Sequence, residues 1–85
     1  MTVKQIINLY LKNKLLGRDS VVITSNNIQQ EVVDFAKSRF NIFHNPETFA
    51  REWRDFKKDN DVYKIEEIEL PKKSKQKHYK VYVKV

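Results

Sequence analysis

Cysteine is missing altogether from this 85-residue chain, which excludes disulfides, thiolate zinc sites and thiol redox chemistry and is compatible with a reducing cytoplasm. Glycine occurs once and proline twice, so no glycine-rich loop is present to hold a nucleotide. The two histidines, His44 and His78, form neither an HxxxH nor an HxH spacing, and no metal ligand set or other cofactor is expected. No apolar run approaches the length that spans a bilayer. At the start, MTVKQIINLYL, the apolar residues are broken by Lys4, Gln5, Asn8 and Lys12 with no small-residue cleavage site after them, so no secretory leader is expected. A cytoplasmic chain with no membrane contact follows as the expectation.

At this length one domain, residues 1–85, is expected, with a core too small for a buried catalytic pocket. An enzyme is not expected, and neither is a small-molecule substrate. Asp55-Phe56-Lys57 matches a fragment of a nuclease D-x-K pattern, but it reads as helical and Phe56 is needed in the core. The tyrosines have no adjacent histidine pair that would mark a strand-transfer nucleophile.

What the chain does have is positive charge, net +6 with a pI near 9.6, and that points to a polyanionic partner. The charge is unevenly spread. Residues 1–44 carry six basic and three acidic side chains, residues 45–70 five and eight, and residues 71–85 six lysines and no acid.

Along the chain, Thr2 starts a helix over residues 2–16, stopped by Gly17 in the left-handed conformation. The β-branched VVIT, residues 21–24, is a brief strand. Ser25 and Asn26 read as caps of a second helix over residues 25–40, with Ile28, Val32, Phe35 and Ala36 inward. After a short turn, the segment NPETFAREWRDFKK opens with a capping residue, Asn45, and Pro46 at the first helical position. It predicts a third helix over residues 46–59 with Phe49, Trp53 and Phe56 on the buried face and Asn60 as a left-handed cap. Two strands, residues 62–70 and 78–85, close the chain. In the second, Tyr79, Val81, Val83 and Val85 alternate with polar residues. The first changes parity between Ile65 and Ile68, so a bulge near Glu66-Glu67 is expected. Glu66, Glu67 and Glu69 are expected to pair with Lys80 and Lys84 across the hairpin.

The order helix, strand, helix, helix, strand, strand defines an α+β fold with a C-terminal hairpin. It resembles the winged helix-turn-helix DNA-binding domains over nearly the whole chain, in VVIT before the second helix, NPETFAREWRDF as the third, and the basic hairpin. No motif marks a subfamily. The resemblance implies a third helix in the major groove of double-stranded DNA and a wing against the backbone or the minor groove.

On that reading the base-reading candidates are Thr48, Arg51, Arg54 and Asp55, because an arginine fork fits the guanine edge. The backbone candidates are Ser25, Asn26 and Asn45 near helix starts, Lys58, and the wing lysines Lys72, Lys73, Lys75 and Lys77. The plainer reading is a solvated helix face laced by Glu47–Arg51 and Arg51–Asp55 pairs, with Trp53 in the core. A transcription or replication regulator is the leading expectation. The alternative is a winged-helix protein-interaction module docking on a polymerase or replication subunit. The apolar Leu9, Leu15 and Leu16 of the first helix serve either a core or a homodimer interface. The glycine-poor, lysine-rich composition would suit a small phage or mobile-element protein.

Overall fold

A capping box starts the fold. The Thr2 hydroxyl accepts from the Gln5 amide at 3.1 Å and the Gln5 side chain accepts from the Thr2 amide at 2.8 Å, satisfying two donors that a helix start otherwise leaves bare. α1 (Val3–Lys14) follows, two residues shorter than expected, with Leu15 at its C-cap; Gly17, at φ 72°, is left-handed as expected but stands in the turn after the helix. The computed structural model describes residues 1–69 and 77–84. Leu70, Val85 and the wing lysines Lys72, Lys73 and Lys75 lie outside the described residues.

β1 (Ser20–Thr24) runs straight into α2 (Ser25–Phe40) with no loop between them. The cap of α2 is therefore Thr24, the last strand residue, and not Ser25 or Asn26 as the sequence indicated. Thr24 Oγ1 accepts from the Asn27 amide at 3.1 Å and the Asn27 side chain accepts from the Thr24 amide at 2.9 Å. The helix ends in an αL closure, the left-handed residue bonding back one turn. Asn41 at φ 54° donates to Lys37 and Ile42 donates to Ala36, at 3.1 and 3.2 Å.

α3 (Pro46–Lys58) begins at Asn45 as expected, but the Asn45 side chain makes no capping bond, and Pro46 carries the start. Its end also differs from expectation. Asn60 is not left-handed. Its side chain instead donates to the Phe56 carbonyl at 2.9 Å and accepts from the amides of Val62 and Tyr63 at 3.2 and 2.6 Å, stitching the helix end to the next strand.

β2 (Tyr63–Ile68) and β3 (His78–Val83) form the closing hairpin, and the antiparallel sheet has the order β1-β3-β2. The pairing of β2 with β3 is uninterrupted from Tyr63↔Val83 to Ile68↔His78, so the expected bulge is absent. The parity change has another cause: Glu67 occupies the inward parity opposite Tyr79 but is exposed, because it lies at the end of the edge strand β2, where the core reaches Tyr79 on β3 and no further. At the other end of β3, Val83 is likewise inward by parity and 49% exposed. The expected glutamate–lysine ladder is also rearranged. Glu66 faces Lys80 in register, yet it accepts from the Tyr82 hydroxyl at 3.0 Å and lies 3.7 Å from Lys64. Lys84 donates to the Asn60 carbonyl at 2.9 Å, and Glu67 pairs with Lys77 at 3.7 Å.

The three helices pack on one face of this sheet in a winged-helix-like layout, with Ile6, Leu11, Ile23, Val32, Phe49 and Val81 fully buried at its centre. Burying such side chains stabilises by about 1.5–3 kcal/mol each. Leu15 joins this core, whereas Leu9 and Leu16 are exposed. Phe35, expected inside, is half-buried and meets Tyr10 and Phe40 edge-on at 5.8 and 5.7 Å. Among the described residues no helix is long and apolar enough to cross a membrane, and no group of side chains is placed to hold a metal ion.

Candidate nucleic-acid interface

Three rings set the attitude of α3. Phe49, Trp53 and Phe56 are 0, 3 and 5% exposed, one helical turn apart, so the face they occupy cannot rotate outward. Trp53 stacks on Phe56 with centroids 6.0 Å apart and meets Tyr79 of β3 edge-on at 5.5 Å. Phe56 in turn contacts Tyr63 of β2 at 6.3 Å. The helix is thereby pinned across the hairpin.

With that face fixed, the 3.6-residue period distributes the charges of α3 into two flanks. Arg54, Lys57 and Lys58 lie on the flank towards α2 and β3, where they line a common groove. Arg51, seven residues before Lys58, falls on the same outer ridge. Thr48, Glu52 and Asp55 fall on the opposite flank. A helix of mixed sign in sequence is thus largely sided in space, with Glu47, one turn before Arg51 and two before Arg54, the one acid of α3 on the cation ridge. The charge-matched pairs of the plainer reading do not form: among the described residues the ion pairs are Lys14–Glu31, Lys64–Glu66 and Lys77–Glu67, none of them on α3.

The groove is a crease of about 380 Å³ where α2, α3 and β3 meet. Its floor is apolar, from Ile28, Ala50, Trp53 and Tyr79, and its rim carries Arg54, Lys57, Lys58 and Lys77. None of the described residues lining it is acidic. Two of the cations are held in place. The Lys57 ammonium donates to the Tyr79 hydroxyl at 3.1 Å and sits 4.5 Å from the centre of that ring; Lys77 pairs with Glu67. Arg54 and Lys58 are exposed and have no ion-pair partner among the described residues. In water such side chains are the ones free to exchange solvent counterions for a phosphate.

The start of α2 closes the crease. The Ser25 amide donates to the Lys77 carbonyl at 3.1 Å, tying the helix start to the foot of the wing. The Ser25 and Asn27 amides therefore already have acceptors. What Ser25 offers to an anion is its hydroxyl together with the favourable dipole end of α2. One polar atom of the floor stands out: Trp53 Nε1 is buried without a hydrogen-bond partner.

Of the residues singled out from sequence, Ser25, Arg54, Lys58 and Lys77 come together in this crease. Asn26 is half-buried nearby but does not line it; Arg51, Asp55 and Asn45 are exposed elsewhere on or beside α3, and Thr48 is half-buried in its first turn. Two polar lining residues escaped the sequence reading, Gln29 and Lys57. Their spacing was the available signal: Gln29 is one turn after Ser25, and Lys57 is one turn after Arg54.

Comparison with protein-family models, curated proteins and solved structures returns no match. The function of this surface has to be taken from its chemistry.

Proposed function

We propose that this chain belongs to the winged-helix type of DNA-binding domain and binds double-stranded DNA as a transcription or replication regulator in the cytoplasm. The outer ridge of α3, Arg51 and Arg54 with Lys58, enters the major groove, and the crease and wing hold the backbone. The observation that carries this reading is the crease itself, a concave surface with four cations and no acid among its described lining residues, built from the start of α2, one flank of α3 and the foot of the hairpin. Bases are read by the arginine forks, each worth about 1–3 kcal/mol of discrimination. Phosphates are met by Lys58 and Lys77, by the Ser25 hydroxyl, and by Lys72, Lys73 and Lys75.

The test is binding to mixed-sequence duplex over a salt series, with wild type, an Arg51→Ala/Arg54→Ala variant and a variant lacking the wing lysines. Affinity falls steeply with salt in the wild type. The wing variant has a shallower slope, by about 0.9 for each phosphate contact removed. The arginine variant loses sequence preference. Absence of duplex binding at low salt would leave docking on a protein partner, through the acidic flank of Glu52 and Asp55, as the function of α3.

A further inference from the structure

The crease has features that a surface passing over a phosphodiester backbone does not require. It is concave, whereas the arginine ridge of α3 is convex. Its floor contains a tryptophan that is 3% exposed and whose Nε1–H has no acceptor. A buried donor without a partner is costly to leave unmade. The walls are set beforehand: Tyr79 holds Lys57, Glu67 holds Lys77, and the Lys77 carbonyl holds the Ser25 amide. Arg54 and Lys58 stand free at the rim. Two free cations, two fixed ones and a hydroxyl around a hollow favour a compact, doubly charged acceptor over the single charge of a diester.

We infer that the crease is a binding site for a phosphate monoester dianion, either inorganic phosphate or the terminal phosphate of a mononucleotide. Arg54 forks onto two of its oxygens, Lys58 and Lys77 neutralise its charge, and Ser25 donates its hydroxyl. Binding of this anion goes beyond duplex recognition and stands without it. Its consequence rests on the duplex reading: an occupied crease withholds Arg54, Lys58 and Lys77 from DNA, so the anion competes with the duplex.

Nuclear magnetic resonance of the full chain tests this. The protein has one tryptophan, so its indole N–H signal needs no assignment. Sodium phosphate is exchanged for sodium chloride at constant ionic strength. The expected result is a saturable shift of the Trp53 indole signal, with a midpoint weakened about tenfold or more in Arg54→Ala/Lys58→Ala. The thermal melt of that variant establishes that it is folded. A shift equal to that given by chloride, or unchanged in the folded variant, would overturn the site. Thymidine 5′-monophosphate and thymidine form the second arm. The nucleotide is expected to saturate and the nucleoside is not; equal shifts from both would overturn a phosphate site. Of phosphate and nucleotide, the one with the lower midpoint identifies the source. Duplex binding measured in parallel separates the two readings. Saturable phosphate binding without duplex binding removes only the DNA reading, and duplex binding without phosphate saturation removes only this one.

Discussion

Two hollows of similar size flank α2, and they treat charge in opposite ways. Between α1 and α2 lies a hollow of about 340 Å³ lined by Lys14, Arg39, Glu31 and Asp34, two of each sign. There Glu31 acts as a hub: it pairs with Lys14 at 3.0 Å, accepts from the Tyr10 hydroxyl at 3.3 Å and accepts from the Asn27 side chain. Arg39 lies over the Phe35 ring at 5.6 Å. On the other side of α2, the crease of about 380 Å³ gathers cations without a carboxylate among its described lining residues. A seam between helices gains from neutralising its charges, because the groups stay together in the folded state. A surface that leaves like charges side by side accepts repulsion, and an anion from outside relieves it. The difference between the two hollows teaches more about function than the net charge does.

The largest effect should come from removing the free cations of the crease. Arg54→Ala/Lys58→Ala is expected to weaken duplex binding about 50-fold near 0.1 M salt, if each cation meets one phosphate. The matching change in the seam, Lys14→Ala/Arg39→Ala, should leave affinity within about twofold, since these positions lie on the far side of α2. Fluorescence anisotropy with a labelled duplex compares the two. Equal losses would erase the distinction between the hollows.

A smaller step makes the crease resemble the seam. Gln29→Glu places a carboxylate on the lining beside the cations and is expected to cost about tenfold in duplex affinity, with stability unchanged. Binding as tight as wild type would mean that the crease does not meet phosphate. Next in size is the start of α2, which lines the crease at Ser25 and reaches the seam only through the bond from the Asn27 side chain to Glu31. Thr24→Ala removes the hydroxyl of the capping box and should lower unfolding free energy by about 1 kcal/mol in a urea titration. Duplex binding should weaken along with it, because Ser25 and its bond to Lys77 sit on the same turn.

The smallest effect belongs to the seam alone. Burial first, and then the charge and hydrogen bond of Glu31, raise the Tyr10 hydroxyl pKa above its ordinary 10.0. A raised folded-state value means that the folded protein holds this proton more tightly than the unfolded chain does. The associated stability is complete below pH about 10 and is lost as pH rises beyond it. Tyr63, raised by burial, adds to the same alkaline loss. Tyr10→Phe should therefore flatten the fall in stability above pH 10 while leaving duplex binding at neutral pH intact. An alkaline profile identical to wild type would show that Tyr10 ionises as freely folded as unfolded.

Much of the architecture was legible because local signals agreed. Pro46 and the spacing of Phe49, Trp53 and Phe56 locate α3, and Gly17 marks the left-handed turn after α1, since each rests on residues close together in the chain. The errors arose where tertiary context overrode a local pattern. Thr24 belongs to a strand and still caps a helix, because β1 and α2 share no intervening loop. Glu67 breaks the inward alternation of β2 because the core stops short of it, and no extra residue enters the ladder. Asn60 spends its side chain on the end of α3 and the start of β2, a role its neighbours in sequence do not reveal. The crease was the least legible part. Its lining comes from three elements, around Ser25, Arg54 and Lys77, and only β1-β3 pairing together with the rings of α3 brings them together. Counting charge by segment places the excess of cations in residues 71–85. In three dimensions α3 contributes Arg54, Lys57 and Lys58 to the same surface as Lys77.

The most direct measurement is amide and indole chemical-shift mapping on adding a mixed-sequence duplex to the wild-type protein. If the crease is the DNA-binding surface, the shifts concentrate on Ser25, Gln29, Trp53, Arg54, Lys58 and Lys77, while Tyr10, Lys14, Asp34 and Arg39 stay in place. Shifts centred on the α1–α2 seam, or none at saturating duplex, would contradict it.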